Sequence, residues 1–319
     1  MQVAPVSLHG KKILVTGPTS QVALPLLQQL CPIADVYALA RFSRQKDVDR
    51  IRALGAHVLR KDLAADSLGD IPDDFDYVLH FAVVKSGNFD YDLRANAIGS
   101  GRLLAHCKRA KAFLQVSTTG VYQYAGQTLL KEDAPLGDNH RAMFPTYSIS
   151  KIAQETVVRF AAMEHAVPLT IARLSVPYGD NGGWPYWHAA MMKEGMPVVV
   201  HPDQPNAYNP IHAEDYCRHI PYLLAAATTD ATIVNWGGSE VVSVESWCEW
   251  ISELTGFRTA FDLQPTAFGS LASDVSKLQA LLGDEPVTTV TWKEGILRML
   301  RNTAPQWLTA QYQLHGDNT

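Results

Sequence analysis

The sequence predicts an α/β fold, a doubly wound parallel sheet carrying a smaller C-terminal lobe. Three observations predict it. Short apolar runs rich in β-formers alternate with helix-periodic stretches from Lys12 to Leu174, the pattern of β-α-β units. The first run enters its helix over a tight turn at Gly17. After Gly179 the alternation gives way to aromatic, turn-rich sequence, so an irregular lobe follows the sheet.

At 319 residues the chain can bury a full core as one large domain or two. Hydrophobic residues at 47% and charged residues at 18% suit a soluble globular protein. A formal net charge of −5 without any Lys/Arg run offers no field for nucleic acid. Cys31, Cys107, Cys217 and Cys248 stand far apart and form no Cys-x-x-Cys pair, so reduced thiols and no metal are expected. MQVAPVSLHGKK lacks a basic start followed by an apolar run, so no signal peptide and a cytoplasmic protein are expected. No apolar segment approaches the ~18 residues of a membrane span.

Lys12 to Thr16 is a run of β-formers, and Val22 to Leu30 is apolar at helical spacing. Strand, glycine turn and helix form the first unit of a dinucleotide-binding fold, with pyrophosphate at the helix N-terminus. Gly17 holds the first glycine position of that fingerprint, while Ser20 and Ala23 stand at the second and third. Alanine keeps the third position small. Serine turns a Cβ toward the pyrophosphate, which a hydroxyl hydrogen bond to phosphate can offset.

Asp35 to Arg41 is the second strand. An acidic residue that holds the ribose hydroxyls normally ends it. Here Ala40 stands there, followed by Arg41, Phe42, Ser43 and Arg44. Two arginines and a serine suit a 2′-phosphate and favour NADP over NAD. The alternative is a solvated basic loop. A helix over Val48 to Leu54 stops at Gly55, and a third strand runs from Ala56 into Asp62 and Leu63. Tyr77 to Val83 is the fourth strand, and its His80 fits a packed core residue better than a ligand. A long helix from Tyr91 to Ala110 contains Asn96. The fifth strand, Ala112 to Val116, delivers Ser117, Thr118 and Thr119 to its C-terminal end, where open α/β sheets bind ligands. A helix opens at Tyr147 and runs to about Ala162, and Pro168 to Leu174 is the sixth strand.

Tyr147 and Lys151 are four residues apart, hence one turn apart on one helix face. A phenol with a pKa near ~10 becomes a useful acid or base beside an ammonium, which favours the phenolate. The spacing alone is common, and a surface pair is the ordinary alternative. Context decides.

Taken in order, TGPTSQVA, Asp62-Leu63, Asn96, VSTTGVY, Tyr147 with Lys151, RLSVPYG and Trp-Lys-Glu-Gly-Ile near Trp292 resemble the extended short-chain dehydrogenases/reductases. That class includes nucleotide-sugar epimerases and dehydratases. The resemblance covers nearly the whole chain. It implies a Rossmann-like domain at residues 1–178, with returning segments near 205–240, and a substrate-binding lobe mainly at 179–319. It implies that Gly17, Thr19, Ser20, Gln21 and Val22, with Arg41, Ser43 and Arg44, hold the dinucleotide. Asp62 and Leu63 would meet the adenine, and Phe81, Ala82, Val83, Asn96, Val116 and Val176 would complete the cofactor cleft. Tyr147 would be the acid/base, Lys151 would hold the nicotinamide ribose and lower the tyrosine pKa, and Thr118, rather than Ser117, would hydrogen-bond the substrate oxygen.

The departures matter as much. Thr119-Gly120 stand where a dehydratase of this class has Asp-Glu, which disfavours dehydration. Tyr208 stands where nucleotide-sugar enzymes place a diphosphate-binding arginine, and Gln264 to Asp274 supplies no second one. Trp184, Tyr186, Trp187, Met191 and Met192 suit an apolar or aromatic substrate, or they pack the lobe. Thr118, Thr119, Trp184, Trp187 and Tyr208 are the expected substrate contacts.

These readings predict an enzyme, an NADP-preferring oxidoreductase that interconverts a secondary alcohol and a ketone on a small molecule. The alternatives are a sugar or nucleotide-sugar epimerase with tightly held NAD, and a non-catalytic cofactor sensor. Relatives commonly pair through the two helices flanking the active-site strand. By analogy a homodimer forms through the Tyr91 to Ala110 and Tyr147 to Ala162 helices.

Overall fold

The central strands are near-continuous apolar runs because helices cover both faces of their sheet. The structure, a computed structural model, describes residues 2–139 and 142–313. Its Rossmann-like domain contains β1 (Lys12–Thr16), α1 (Ala23–Leu30), β2 (Asp35–Ala40), α2 (Gln45–Ala53), β3 (His57–Arg60) and β4 (Tyr77–His80). There follow α3 (Phe89–Leu93), a π-helical turn (Arg94–Ile98), α4 (Gly99–His106), β5 (Ala112–Thr118), α5 (Tyr147–His165) and β6 (Leu169–Leu174). The lobe and returning segments hold β7 (Pro177–Gly179), β8 (Gly182–Gly183), α6 (Trp184–Lys193), β9 (Val198–Val200), β10 (Ala207–Tyr208) and β11 (Ile211–His212). They continue through α7 (Ala213–Ala225), β12 (Thr232–Trp236), β13 (Val242–Ser243), α8 (Val244–Thr255), β14 (Phe261–Leu263), α9 (Ser276–Leu282) and α10 (Trp292–Thr303).

The main sheet has seven strands in the order β12-β6-β5-β4-β1-β2-β3, and every pairing in it is parallel. The seventh strand corrects the six-strand expectation. Thr232–Trp236 is short and follows the turn-rich Thr228-Thr229-Asp230, so only its pairing with β6 reveals it. The long helix expected from Tyr91 begins at Phe89 and widens into a π turn around Asn96. Such π turns are frequent at functional sites.

Strand order reverses between β1 and β4, which opens a crevice beyond their C-terminal ends. Gly17 enters that crevice with φ of +67°, and a Cβ there would lie 3.0 Å from backbone atoms of Ala82. Only glycine suits both the left-handed turn and this approach. On one face, α1, α7 and α9 cover β1, β2, β4 and β12. On the other, α4 and α5 cover β4, β5 and β6. Leu278 and Leu282 of α9 join the core of the large domain. The lobe packs its own core around Trp247, Tyr178, Tyr208 and Ile296.

All four cysteines are free. Among the described residues no helix is long and apolar enough to cross a membrane, and no group of three or more His, Cys, Asp or Glu could hold a metal ion.

Candidate active site

Two adjoining cavities follow the C-terminal ends of the central strands. The first, about 250 Å³, runs from Gly17, Thr19 and Ser20 past Arg41, Phe42 and Ser43 to Lys61, Asp62 and Leu63, with Phe81, Ala82, Val83 and Asn96 along its side. The second, about 610 Å³, lies between the sheet and the lobe, a size ordinary for small-molecule sites. It is lined by Gln21, Val22, Val116, Thr118, Thr119, Tyr147, Lys151 and Val176 from the large domain. Trp184, Tyr186, Trp187, Tyr208 and Phe268 face them.

The expected residues are therefore brought together, with exceptions. Arg44 lines neither cavity, because its guanidinium donates to Asp47 at 2.7 and 3.1 Å. Of the two readings offered for Met191 and Met192, lobe packing is the one seen: neither lines the cavity, and Met192 is buried in the lobe core. Sequence reasoning missed Asp47 and Lys61 at the first cavity and Lys85, Met143 and Phe144 at the second. Asp47 sits in the first turn of α2 and Lys61 between β3 and Asp62, whereas Lys85, Met143 and Phe144 come from loops that no motif marks.

The glycine turn is built around Ser20. Its backbone N–H donates to Gly17 O at 3.0 Å, and its hydroxyl accepts from Ala23 N–H at 3.1 Å. That hydroxyl helps start α1, and its own proton stays available to a ligand oxygen. Asp62 accepts from Ala64 N–H and from the Tyr91 hydroxyl, the latter at 3.0 Å, and Tyr91 in turn accepts from Arg41 at 3.0 Å. The chain Arg41–Tyr91–Asp62 thus fixes the rim of the first cavity.

Tyr147 opens α5. The preceding Thr146 hydroxyl donates to Asp92 at 2.6 Å, and the Ser148 hydroxyl donates to Gly120 O at 2.6 Å. These bonds fasten the helix start to α3 and to the end of β5. The Tyr147 hydroxyl is hydrogen-bonded to Thr118. Burial pushes the phenol pKa up, and the Thr118 contact opposes the rise. Thr118 Oγ1 accepts from Gly120 N–H at 3.0 Å, which orients its hydroxyl. Ser117 is directed elsewhere, donating to Glu155.

Lys151 is buried at the cavity floor. Its ammonium donates to Val116 O at 2.7 Å and to Gln154 Oε1. Burial lowers its pKa to about 7, with the Glu155 charge working the other way. In this arrangement the Thr118 contact opposes the rise in the tyrosine pKa, and the Lys151 ammonium is directed to Val116 O and Gln154. Gln154 continues into a buried chain: it donates to Ser100, which lies 2.6 Å from His80 Nε2, and His80 Nδ1 lies 2.6 Å from Thr16. Burial takes the His80 pKa down to about 3, so the ring is neutral. His80 is the packed core residue its place in β4 predicts.

Asn96 is buried and fully engaged. Its carbonyl accepts from Val84 N–H, and its amide donates to Val84 O and to Ser150, all within 3.0 Å. In the lobe, Trp184 packs against His188, Tyr208 and Trp247 while facing the second cavity, so it does both things the sequence left open. Tyr208 is anchored by donating to Gly269 O at 2.8 Å. Trp187 stands 65% exposed at the rim.

The fold is shared with several epimerases of known structure. A UDP-glucuronic acid 4-epimerase from Bacillus cereus, in complex with UDP-glucuronic acid and NAD, aligns with a TM-score of 0.77 at 21% identity, over 91% of this chain and 98% of that one. An epimerase from Methanothermobacter thermautotrophicus aligns with a TM-score of 0.78 at 21% identity, over 94% of each chain. A UDP-N-acetylglucosamine 4-epimerase from Methanobrevibacter ruminantium, in complex with UDP-N-acetylmuramic acid, aligns with a TM-score of 0.77 at 17% identity, over 93% of this chain and 99% of that one. No curated protein matches. The family model described as NAD dependent epimerase/dehydratase matches residues 13–237. With its cleft, its Thr118–Tyr147 contact and that match in place, the chain belongs to the NAD dependent epimerase/dehydratase family, whose members are NAD(P)-dependent enzymes.

Proposed function

We propose that the protein interconverts a secondary alcohol and a ketone on a small substrate with an aromatic or apolar body, and that it prefers NADP to NAD. One observation carries the substrate class. The second cavity meets Thr118 and Tyr147 with a wall of aromatic rings and, among its described lining residues, has no carboxylate and no arginine.

The residues present fit a nicotinamide dinucleotide. Gly17 allows the close turn, Ser20 keeps a proton to donate, and the first cavity, about 250 Å³, continues from that turn to Asp62 and Leu63. Arg41 and Ser43 at its rim support a 2′-phosphate, while Lys61 is paired with Asp70. Gln21, Val22, Val116, Val176 and Lys151 would hold the nicotinamide half. When bound, the cofactor supplies the two-electron oxidation or reduction of the substrate carbon. Tyr147, kept protonated at neutral pH by burial, gives its proton to the substrate oxygen or takes it back. Thr118 orients that oxygen. Phe268, Trp184 and Tyr208 exclude water and set the plane of the substrate.

The comparisons favour a second reading over net redox chemistry, epimerisation of a nucleotide sugar with retained NAD, because the structural neighbours include UDP-sugar 4-epimerases. Against it stands a cavity whose described lining residues include no arginine. Incubation with NADPH and a panel of aryl ketones, alongside UDP-glucose and UDP-glucuronic acid with NAD, separates the two. Net loss of absorbance at the NADPH band with a ketone supports the first. Interconversion of 4-epimers without net absorbance change overturns it.

Ile149, Phe160 and Met163 lie on one face of α5 and are at least 37% exposed, which supports a homodimer pairing through that helix, read out by sedimentation. The free cysteines support a reducing, cytoplasmic setting.

A further inference from the structure

The loop after β4 presents a lysine that the chemistry above does not use. Lys85 lines the second cavity, with its Nζ 4.5 Å from the Phe144 ring centroid and 5.3 Å from that of Tyr147. Apart from Lys151, it is the cation among the described residues of that lining. Lys151 is committed to Val116 O and Gln154 at the floor. Lys85 has no carboxylate within ion-pair distance among the described residues.

Its placement is prepared by buried polar groups on both sides. The Asn96 amide grips Val84 through its backbone N–H and C=O, each at 2.8 Å. On the other side, Asp92, fully buried, accepts from Ser86 N–H at 3.0 Å, from the Ser86 hydroxyl at 2.6 Å and from Gly87 N–H at 3.2 Å. The same Asp92 accepts from Thr146, next to Tyr147. One carboxylate therefore positions both the loop bearing Lys85 and the helix bearing the acid/base. A cation resting on ring faces is attracted to them, and a ligand anion would gain more from it than from water. Lys85 is exposed at the cavity rim, and partial desolvation beside those rings lowers its pKa.

We propose that Lys85 recognises a single anionic group, a carboxylate or a phosphate monoester, on the substrate whose aromatic or apolar body fills the second cavity. This deepens the function proposed above and rests on it. The same anion chemistry could come from the cofactor's pyrophosphate, so the test separates the two sources.

The experiment is equilibrium binding by tryptophan fluorescence, read from Trp184 and Trp187, on the full chain saturated with NADPH. Phenylacetate, phenyl phosphate and benzyl alcohol are the probes, with wild type, Lys85→Gln and Lys85→Arg compared. The expected result is tighter binding of the anions than of benzyl alcohol by wild type. Lys85→Gln should then weaken phenylacetate binding at least ~10-fold, the scale of a lost charge-assisted hydrogen bond. Lys85→Arg should retain most of it, and benzyl alcohol and NADPH affinities should stay unchanged. No preference of wild type for the anions, or equal phenylacetate binding by wild type and Lys85→Gln, overturns the proposal. A Lys85→Gln loss confined to NADPH affinity assigns the lysine to the pyrophosphate and also overturns it. Binding is read without turnover, so failure of the alcohol–ketone chemistry itself would show only in the NADPH absorbance assay and in Tyr147→Phe.

Discussion

Replacing Glu155 by leucine should destabilise the protein by far more than the loss of one surface charge. Glu155 and Arg173 form an ion pair behind the active-site strand, with side chains only 5% and 3% exposed. The guanidinium donates to Glu155 through Nε at 3.1 Å and a terminal nitrogen at 2.8 Å, and to Glu132 O at 2.9 Å. It also lies 4.8 Å from the Tyr122 ring centroid. Glu155→Leu leaves the cation with Glu132 O and the ring alone. An uncompensated buried charge costs about 3–5 kcal/mol, and at roughly 2 °C per kcal/mol for a chain of this size the melting temperature falls on the order of 10 °C. Arg173→Met should cost a similar amount, by stranding the carboxylate. The double variant Glu155→Leu, Arg173→Met should recover most of the loss, because neither desolvated charge remains. Differential scanning calorimetry of the three variants is the assay. Single variants each within about 1 kcal/mol of wild type, or a double variant equal to the sum of the singles, would refute the reasoning. The pair also reaches the site: Glu155 takes the Ser117 hydroxyl, and its charge opposes the burial that lowers the Lys151 pKa.

Other expectations are more direct. Tyr147→Phe should lower turnover by about 10²–10⁴-fold, the range for a lost general acid, with the Kd for NADPH nearly unchanged; near-normal turnover would remove Tyr147 from the mechanism. Arg41→Ala should weaken NADPH binding about 10-fold relative to NADH, whereas Arg44→Ala, with its guanidinium held by Asp47, should alter the ratio little; a larger effect at Arg44 would reverse the assignment. Gly17→Ala must adopt φ near +67° and meet the Ala82 backbone at 3.0 Å, so it should lose at least ~1–2 kcal/mol and most cofactor affinity by titration calorimetry. Lys151 has a folded pKa of about 7 against an ordinary 10.5, so between those values the unfolded chain binds the extra proton. Wild-type stability relative to Lys151→Met should therefore be flat below pH 7 and rise with pH above it, by up to ~1.4 kcal/mol per unit. A difference that does not change between pH 7 and 10 would place the lysine in water.

Much of the molecule was legible in the chain itself. Alternating apolar runs specified the parallel sheet because strands buried on both faces tolerate little else. The gathering of Gly17, Thr118, Tyr147 and Lys151 at the strand ends was legible because strand ends and helical spacing are local properties, and a turn, a hydroxyl and an i, i+4 pair are written in consecutive residues. Arg44 misled for the same reason: a basic loop states which charges are near each other, not that Asp47 on the next helix turn claims one of them. Met192 was left open between pocket and core, because an apolar residue in either place has the same sequence, and it packs the lobe core.

Tertiary structure alone decided the rest. Strand β12 is short, and its pairing with β6 comes from distant chain, as does the return of α9 to the large-domain core. Lys85 became a candidate only when Asn96 and Asp92, from another element, gripped the loop on either side of it. Lys151 shows the division most plainly. Its spacing from Tyr147 follows from the helix, but the direction of its ammonium, toward Val116 O and Gln154 rather than the phenol, depends on a carbonyl from β5. Local periodicity selects which residues share a face, and long-range packing and desolvation decide what each of them touches.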